Sequence, residues 1–153
     1  MMRTAATPMA IDGSLEVEGE YWVNVRSRER GLLVLFLLSD VGADDAPTEL
    51  KVGSHLDIPR LRAPYGEQRR SFLSIAHMIP SSTIGRESAF ATGRAGDLFV
   101  GHRFLVHRAT WPHRGSRPRS IAQPAVTLLD PFTLIGVNPC PVEQAILTGL
   151  QQT

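Results

Sequence analysis

The sequence has one cysteine, one lysine and no long apolar run. A single cysteine excludes an internal disulfide and a zinc site built from cysteines, so Cys140 is expected to be a buried structural thiol. No segment approaches the roughly 18 apolar residues that a membrane-spanning helix needs. The N-terminal segment also lacks the apolar centre of a signal peptide. We therefore expect a cytoplasmic protein without a membrane partner.

The sequence also lacks a clear excess of charge of either sign. Sixteen basic residues, of which only Lys51 is a lysine, stand against fifteen acidic residues, for a net charge of +1. This balance gives no electrostatic reason to expect a nucleic acid or an anionic membrane surface as partner. The hydrophobic content of 42% and the length of 153 residues fit one soluble globular domain with its own core.

Short apolar segments between prolines and glycines predict strands. The clearest is residues 31–40, GLLVLFLLSD, whose seven consecutive apolar residues indicate a strand buried on both faces. Alternation and turn residues predict further strands within 20–27, 48–55, 87–93, 97–102, 103–109 and 120–129. Only residues 141–151 have helical spacing, with proline at the start. Residues 56–80 are ambiguous. The pattern predicts an all-β fold, a sandwich or jelly roll, with two facing sheets over 20–128 and one C-terminal helix.

Three histidines and five arginines are concentrated in residues 96–119, GDLFVGHRFLVHRATWPHRGSRPR. Oxygenases hold ferrous iron with two histidines and one carboxylate, which leaves coordination positions for an oxo acid and dioxygen. An arginine suits the far carboxylate of that oxo acid because its planar guanidinium pairs bidentately. A strand histidine followed about one hairpin later by an inward arginine is therefore a candidate for this chemistry.

Three segments resemble the phytanoyl-CoA dioxygenase family, in the family's order. They are residues 11–25, IDGSLEVEGEYWVNV, residues 31–55, GLLVLFLLSDVGADDAPTELKVGSH, and residues 94–126, RAGDLFVGHRFLVHRATWPHRGSRPRSIAQPAV. The resemblance implies a double-stranded β-helix (jelly roll). It also implies Fe(II), 2-oxoglutarate as cosubstrate, and hydroxylation of a small organic substrate. In this family the metal ligands are the histidine and aspartate of a His-x-Asp motif and a distal histidine. An arginine that follows the distal histidine in the sequence binds 2-oxoglutarate.

Matched residue by residue, His107 corresponds to the distal histidine and Asp12 to the carboxylate ligand. Arg119 corresponds to the 2-oxoglutarate clamp. Arg117 competes for that role, because the loop before it is one residue longer than in the family. Where the family has the first histidine, this chain has Ala10. The resemblance thus implies a metal site of Asp12 and His107 that lacks one ligand.

A second His-x-Asp offers an alternative metal site. His55 and Asp57 lie some fifty residues before His107 and would form a complete triad with it, in place of Ala10 and Asp12. We expect this pair to lie in a loop instead, because the family has its own Gly-Ser-His at this place. His102 is at an odd spacing from His107 and should face the other way in a continuous strand. His113 is expected in a loop.

The motif begins close to the N-terminus, whereas family members have a substantial region before it. We therefore expect residues 1–153 to form one oxygenase-like jelly-roll domain that is the C-terminal part of the family domain. An exposed sheet edge should then favour self-association. Two functions remain open: a dioxygenase, or a catalytically impaired or metal-free relative that binds a small molecule or a partner chain. A carbohydrate-binding jelly roll is a third possibility, which the 7% aromatic content disfavours.

Overall fold

The computed structural model describes residues 15–17, 20–26, 30–65, 70–71 and 75–151, with only the backbone described for 15–17, 20–23 and 70–71. Within these ranges the strands, β1 to β9, are Leu15–Val17, Glu20–Val23, Leu32–Leu37, Thr48–Lys51, Arg70–Ser71, Ser88–Ala91, Leu98–His102, His107–Ala109 and Ile121–Ala122. The helices of the same ranges, α1 to α3, are Ile58–Arg62, Ile79–Ser82 and Pro141–Gln151. Single 3₁₀ turns are Ser54–Leu56 and Ala63–Tyr65.

The strands form three antiparallel sheets of three strands each, in the orders β1-β2-β5, β7-β3-β9 and β6-β4-β8. From β6 to β9 the strands belong alternately to the third and the second sheet, so every connection in this part of the chain passes from one sheet to the other. Val34 of β3 lies opposite Val100 of β7, and Leu50 of β4 lies opposite His107 of β8.

Two groups of apolar side chains form the core. The first, which we call the interlayer cluster, contains buried side chains from the second and third sheets: Leu33, Leu35 and Ala91, with Leu50, Phe99, Leu105 and Ile121 packed against them. The second, which we call the helix-side cluster, contains Ile58, Ile75, Ile79, Phe104, Val106, Phe132 and Ile146. Because the interlayer cluster takes members from two sheets, it holds those sheets face to face.

Helix α3 is fixed at both ends. At its start, the Glu143 carboxylate accepts hydrogen bonds from the backbone N–H groups of Cys140 (2.8 Å) and Thr133. The hydrogen bond from Cys140 has the largest effect on the pKa of Glu143 and lowers it. Burial acts to raise this pKa, but the bonds from Cys140 and Thr133 together outweigh it. Near its end, Gly149 is buried, and a Cβ there would lie 2.5 Å from the Leu56 carbonyl oxygen. The helix therefore packs directly on the 3₁₀ turn that precedes α1.

The predicted all-β jelly roll is wrong: the chain is a mixed α and β fold. The difference lies mainly in residues 54–65 and 79–82, which contain the two 3₁₀ turns and helices α1 and α2. Pro59 and Pro80 occupy the first turns of α1 and α2, where a missing N–H costs nothing. Ile58 and Ile79 are then buried in the helix-side cluster, a second core that the strand pattern does not predict. Strand β3 and helix Pro141–Gln151 are confirmed.

Cys140 is exposed rather than buried, because it precedes helix α3 at the surface. Within the described ranges, no helix has both the length and the apolar character to cross a membrane.

Candidate functional site

His107 lies at the start of β8 and is 6% exposed. Its Nδ1 is 3.0 Å from the Leu105 carbonyl oxygen. A carbonyl only accepts, so Nδ1 carries the hydrogen, and Nε2 of the neutral ring presents a lone pair. Nε2 faces the side-chain amide of Gln123 at 3.4 Å, a long contact for a hydrogen bond. The backbone thus fixes one tautomer and aims Nε2 at one point.

The face of the sheet that carries His107 follows from strand register. His107 is opposite Leu50, which packs against the interlayer cluster. Directly opposite residues in an antiparallel pair share a face, so His107 also faces the space between the two sheets. The next residue, Arg108, points to the other face. There its Nε donates to Glu49 Oε2 at 2.6 Å.

The outer face of the same sheet carries a polar network around Glu49, which is 6% exposed. Ser88 Oγ donates to Glu49 Oε1 at 2.7 Å, and Lys51 Nζ lies 3.3 Å from the same oxygen. Burial acts to raise the pKa of Glu49. The hydrogen bonds from Ser88 and Arg108, the charge of Arg108 and the bond from Lys51 outweigh it and lower that pKa. This carboxylate is therefore held ionised by the sheet, on the side opposite His107.

Arg119 and Arg117 lie in different surroundings. Arg119 is half-buried, and its Nη1 donates a hydrogen bond to the Ala46 carbonyl oxygen, in the loop before β4. Arg117 is exposed. In an extended segment residues 119, 121 and 123 share a face. Ile121 packs against the interlayer cluster and Gln123 contacts His107, which places the Arg119 side chain on the inward side.

The predicted carboxylate ligand, Asp12, lies outside the described residues, as does Ala10. The pairing of Asp12 with His107 therefore stays a prediction. Among the residues that the structure describes, no group of three His, Cys, Asp or Glu side chains is placed to hold a metal ion. Since His55, Asp57 and His107 are all described, the alternative metal site that joins them is wrong.

The reason is visible at Asp57. Its buried carboxylate forms two hydrogen bonds with Arg86, both at 2.9 Å, and lies 3.7 Å from Arg60 Nη2. The hydrogen bonds with Asp57 raise the pKa of Arg86, which burial opposes. Arg86 and Arg60 therefore already neutralise the Asp57 carboxylate. His55 lies on a 3₁₀ turn between strands, in agreement with the expectation that the pair lies in a loop.

His102 has a structural position between the sheet and helix α3. Its Nδ1 accepts a hydrogen bond from the Phe104 N–H at 3.0 Å, and its Nε2 donates to the Val142 carbonyl oxygen at 3.3 Å. The His55 ring lies beside it, with 5.1 Å between ring centroids. Burial above all, with the nearby His55 and Arg103, lowers the pKa of His102 to about 4, although the hydrogen bond to Val142 acts to raise it. Both ring nitrogens are used, so His102 is not a metal ligand in this arrangement.

Sequence reasoning missed several residues around these histidines. Gln123, which contacts His107, was read only as part of a strand, although its spacing from Ile121 places both on one face. His113 lies in a loop as expected, but its Nε2 is 3.7 Å from Asp45 Oδ1, a contact between two loops that sequence spacing does not reveal.

Comparison of the chain with protein-family models, with curated proteins and with solved structures gave no match in any of the three.

Proposed function

We propose that the protein is an Fe(II)- and 2-oxoglutarate-dependent oxygenase-like domain, with His107 as a metal ligand. The observation that carries the proposal is the orientation of the His107 ring. A buried imidazole whose Nδ1–H is held by a backbone carbonyl, with Nε2 directed to one point between two sheets, has the arrangement of metal-ligating histidines. The resemblance of the segment around it to the phytanoyl-CoA dioxygenase family points to the same role.

The other roles follow from the resemblance and from side-chain chemistry. Asp12 would supply a carboxylate ligand, and Arg119 would pair with the far carboxylate of 2-oxoglutarate. Bound ferrous iron supplies the redox chemistry: dioxygen and 2-oxoglutarate are consumed, succinate and carbon dioxide leave, and a C–H bond of a small organic substrate is hydroxylated. The inward position of Arg119 and the exposure of Arg117 favour Arg119 as the clamp.

A second candidate function is a metal-free relative that binds a small molecule or a partner chain. The observation that favours it is the Gln123 amide beside His107 Nε2. A buried histidine whose two ring nitrogens both have polar neighbours needs no metal to satisfy it. The replacement of the first histidine of the motif by Ala10 favours the same alternative.

Metal binding separates the two candidates. Ala10→His should complete the facial triad and raise the affinity for Co(II), used as a spectroscopic substitute for Fe(II), by at least tenfold over the unmodified chain. His107→Ala in that background should abolish the gain, and His77→Ala, at an exposed histidine, should leave it unchanged. If Ala10→His binds Co(II) no better than the unmodified chain, the oxygenase proposal fails and the metal-free candidate stands.

The clamp is tested on the metal-loaded Ala10→His chain by calorimetry with 2-oxoglutarate. Arg119→Gln should weaken binding by tenfold or more, because an ionised carboxylate loses a bidentate partner. Arg117→Gln is the matched control, two residues away on an exposed side chain. Equal small effects at both positions would remove Arg119 from the site. Thermal unfolding of each variant separates loss of the ligand contact from loss of the bond to Ala46.

A further inference from the structure

A cleft of about 580 Å³ lies where the loop before β4, the end of β6 and the loop after β8 meet. The residues that line it and carry the argument are Ala46, Pro47, Phe90, Trp111, Pro112 and Arg114. Its volume is within the range of small-molecule sites, about 300 to 1,000 Å³.

Two large aromatic side chains that line this cleft have half or more of their surface exposed. Trp111 is 69% exposed and Phe90 is 50% exposed. With Pro47 and Pro112 they present flat apolar surfaces to one space. Exposed aromatic groups that converge on a cleft are typical of binding sites rather than of a solvated surface.

The floor of the cleft is held by hydrogen bonds between the two loops. Thr110 Oγ1 donates to the Pro47 carbonyl oxygen at 2.7 Å. The N–H groups of Arg114 (2.7 Å) and Gly115 (3.0 Å) both donate to the Asp44 carbonyl oxygen. Because the backbone on both sides is tied, binding a ligand requires little ordering of the protein.

The charge of the lining selects the ligand. Among the described residues that line the cleft, Arg114 is the one with an ionisable side chain, and none carries a carboxylate. We propose that this cleft binds a planar aromatic carboxylate, with the ring against Trp111 and Phe90 and the carboxylate paired with Arg114. A sugar would need more polar partners than Thr92, Thr110 and Arg114 provide.

This site is separate from the one proposed at His107. Phe90 lies opposite Glu49 in the sheet, and Glu49 is opposite Arg108, so Phe90 belongs to the outer face. His107 is on the inner face. The proposal therefore does not rest on the oxygenase function, and its test uses chain treated with a chelator.

The probe is 2-naphthoate, with the neutral 2-naphthamide for comparison, followed by ¹H–¹⁵N NMR titration. The indole N–H signal of Trp111, identified by its loss in Trp111→Phe, should shift and saturate with 2-naphthoate. Trp111→Ala should weaken binding by tenfold or more, since the main apolar wall is removed. Arg114→Gln should weaken 2-naphthoate severalfold and leave 2-naphthamide unchanged. Arg117→Gln, an exposed arginine of the same loop that does not line the cleft, is the matched control.

The backbone spectra of the variants show whether each one is folded, and Trp111→Phe keeps an aromatic wall if Trp111→Ala does not fold. Absence of any Trp111 shift, or equal affinity of the unmodified chain and Trp111→Ala, would overturn the site. Equal loss of 2-naphthoate and 2-naphthamide in Arg114→Gln would overturn the choice of a carboxylate ligand.

Discussion

The interlayer cluster and the helix-side cluster bury apolar side chains in different ways. The interlayer cluster has three buried members on regular strands, and two of them, Leu33 and Leu35, are two residues apart on β3. The helix-side cluster has seven buried members, drawn from short helices, from the segment between β7 and β8, and from an irregular loop. The first is a product of local alternation. The second exists only after distant segments meet, because its members extend from Ile58 to Ile146.

Their polar groups differ in the same way. Beside the interlayer cluster, the ionic network of Glu49 is made between neighbouring strands, Arg108 and Ser88 being one strand away. On the helix side, His102 joins a strand to helix α3 through the Val142 carbonyl, forty residues along the chain. Damage to the helix side should therefore affect the whole chain, whereas damage to the sheet network should be local and small.

The largest expected effect is from Phe104→Ala. Phe104 is 0% exposed within the helix-side cluster, so the change removes a large apolar side chain and leaves a cavity. We expect a loss of about 3 to 5 kcal/mol in the free energy of unfolding, measured with urea. Phe90→Ala, at a half-exposed ring on the sheet, should cost about 1 kcal/mol or less. Similar losses at both positions would contradict the difference between the two regions.

The second prediction concerns acid stability and His102. Its pKa is about 4 in the folded chain, against 6.5 ordinarily, so between these pH values the unfolded chain binds the extra proton. Stability should therefore fall as the pH decreases from about 6.5 to about 4, by up to about 3 kcal/mol for this group.

The measurement compares urea unfolding across that pH range for the unmodified chain and for His102→Asn. The asparagine side chain can still accept the Phe104 N–H but does not titrate, so the pH dependence should become flatter. His77→Asn, at an exposed histidine, is the matched control. An unchanged slope in His102→Asn would show that another group is responsible.

The third prediction tests the contact of helix α3 with the 3₁₀ turn. A methyl group at Gly149 would lie 2.5 Å from the Leu56 carbonyl oxygen and 2.8 Å from Pro59 Cγ. Gly149→Ala should therefore destabilise the chain by about 1 to 3 kcal/mol, although alanine is the better helix former. Gly136→Ala has nothing within 4 Å and should change stability by less than about 0.5 kcal/mol. Stabilisation by Gly149→Ala, seen as a higher Tm, would contradict the close packing.

The smallest effect is expected in the sheet network. Glu49 and Arg108 are in contact at 2.6 Å, but the Arg108 side chain is 35% exposed and solvent screens the pair. A double-mutant cycle of Glu49→Gln and Arg108→Met should give a coupling energy of about 1 kcal/mol. Because the pKa of Glu49 is lowered, its contribution is present above its ordinary pKa and is lost as the pH falls through the folded value. Glu87→Gln, at an exposed carboxylate, is the control.

What the sequence by itself determined is the set of segments whose pattern is local. Strand β3 and helix α3 lie where their spacing predicts, because alternation and helical periodicity depend only on near neighbours. The face of His107 is not of this kind, because it follows only from the pairing of β8 with β4, which are far apart in the chain. The choice between Arg117 and Arg119 stayed open at that level. The two residues share a strand face in any alternating pattern.

Tertiary structure alone decided the helix side and the surroundings of each polar group. The short helices α1 and α2 each have fewer residues than an isolated helix needs, so burial of Ile58 and Ile79 against Ile146, and not propensity, stabilises them. Likewise, nothing in the motif His55-Leu56-Asp57 indicates that Arg86 neutralises the aspartate. Such contacts are made between residues far apart in the chain, and the free energy that fixes them appears only when the packed core brings them together.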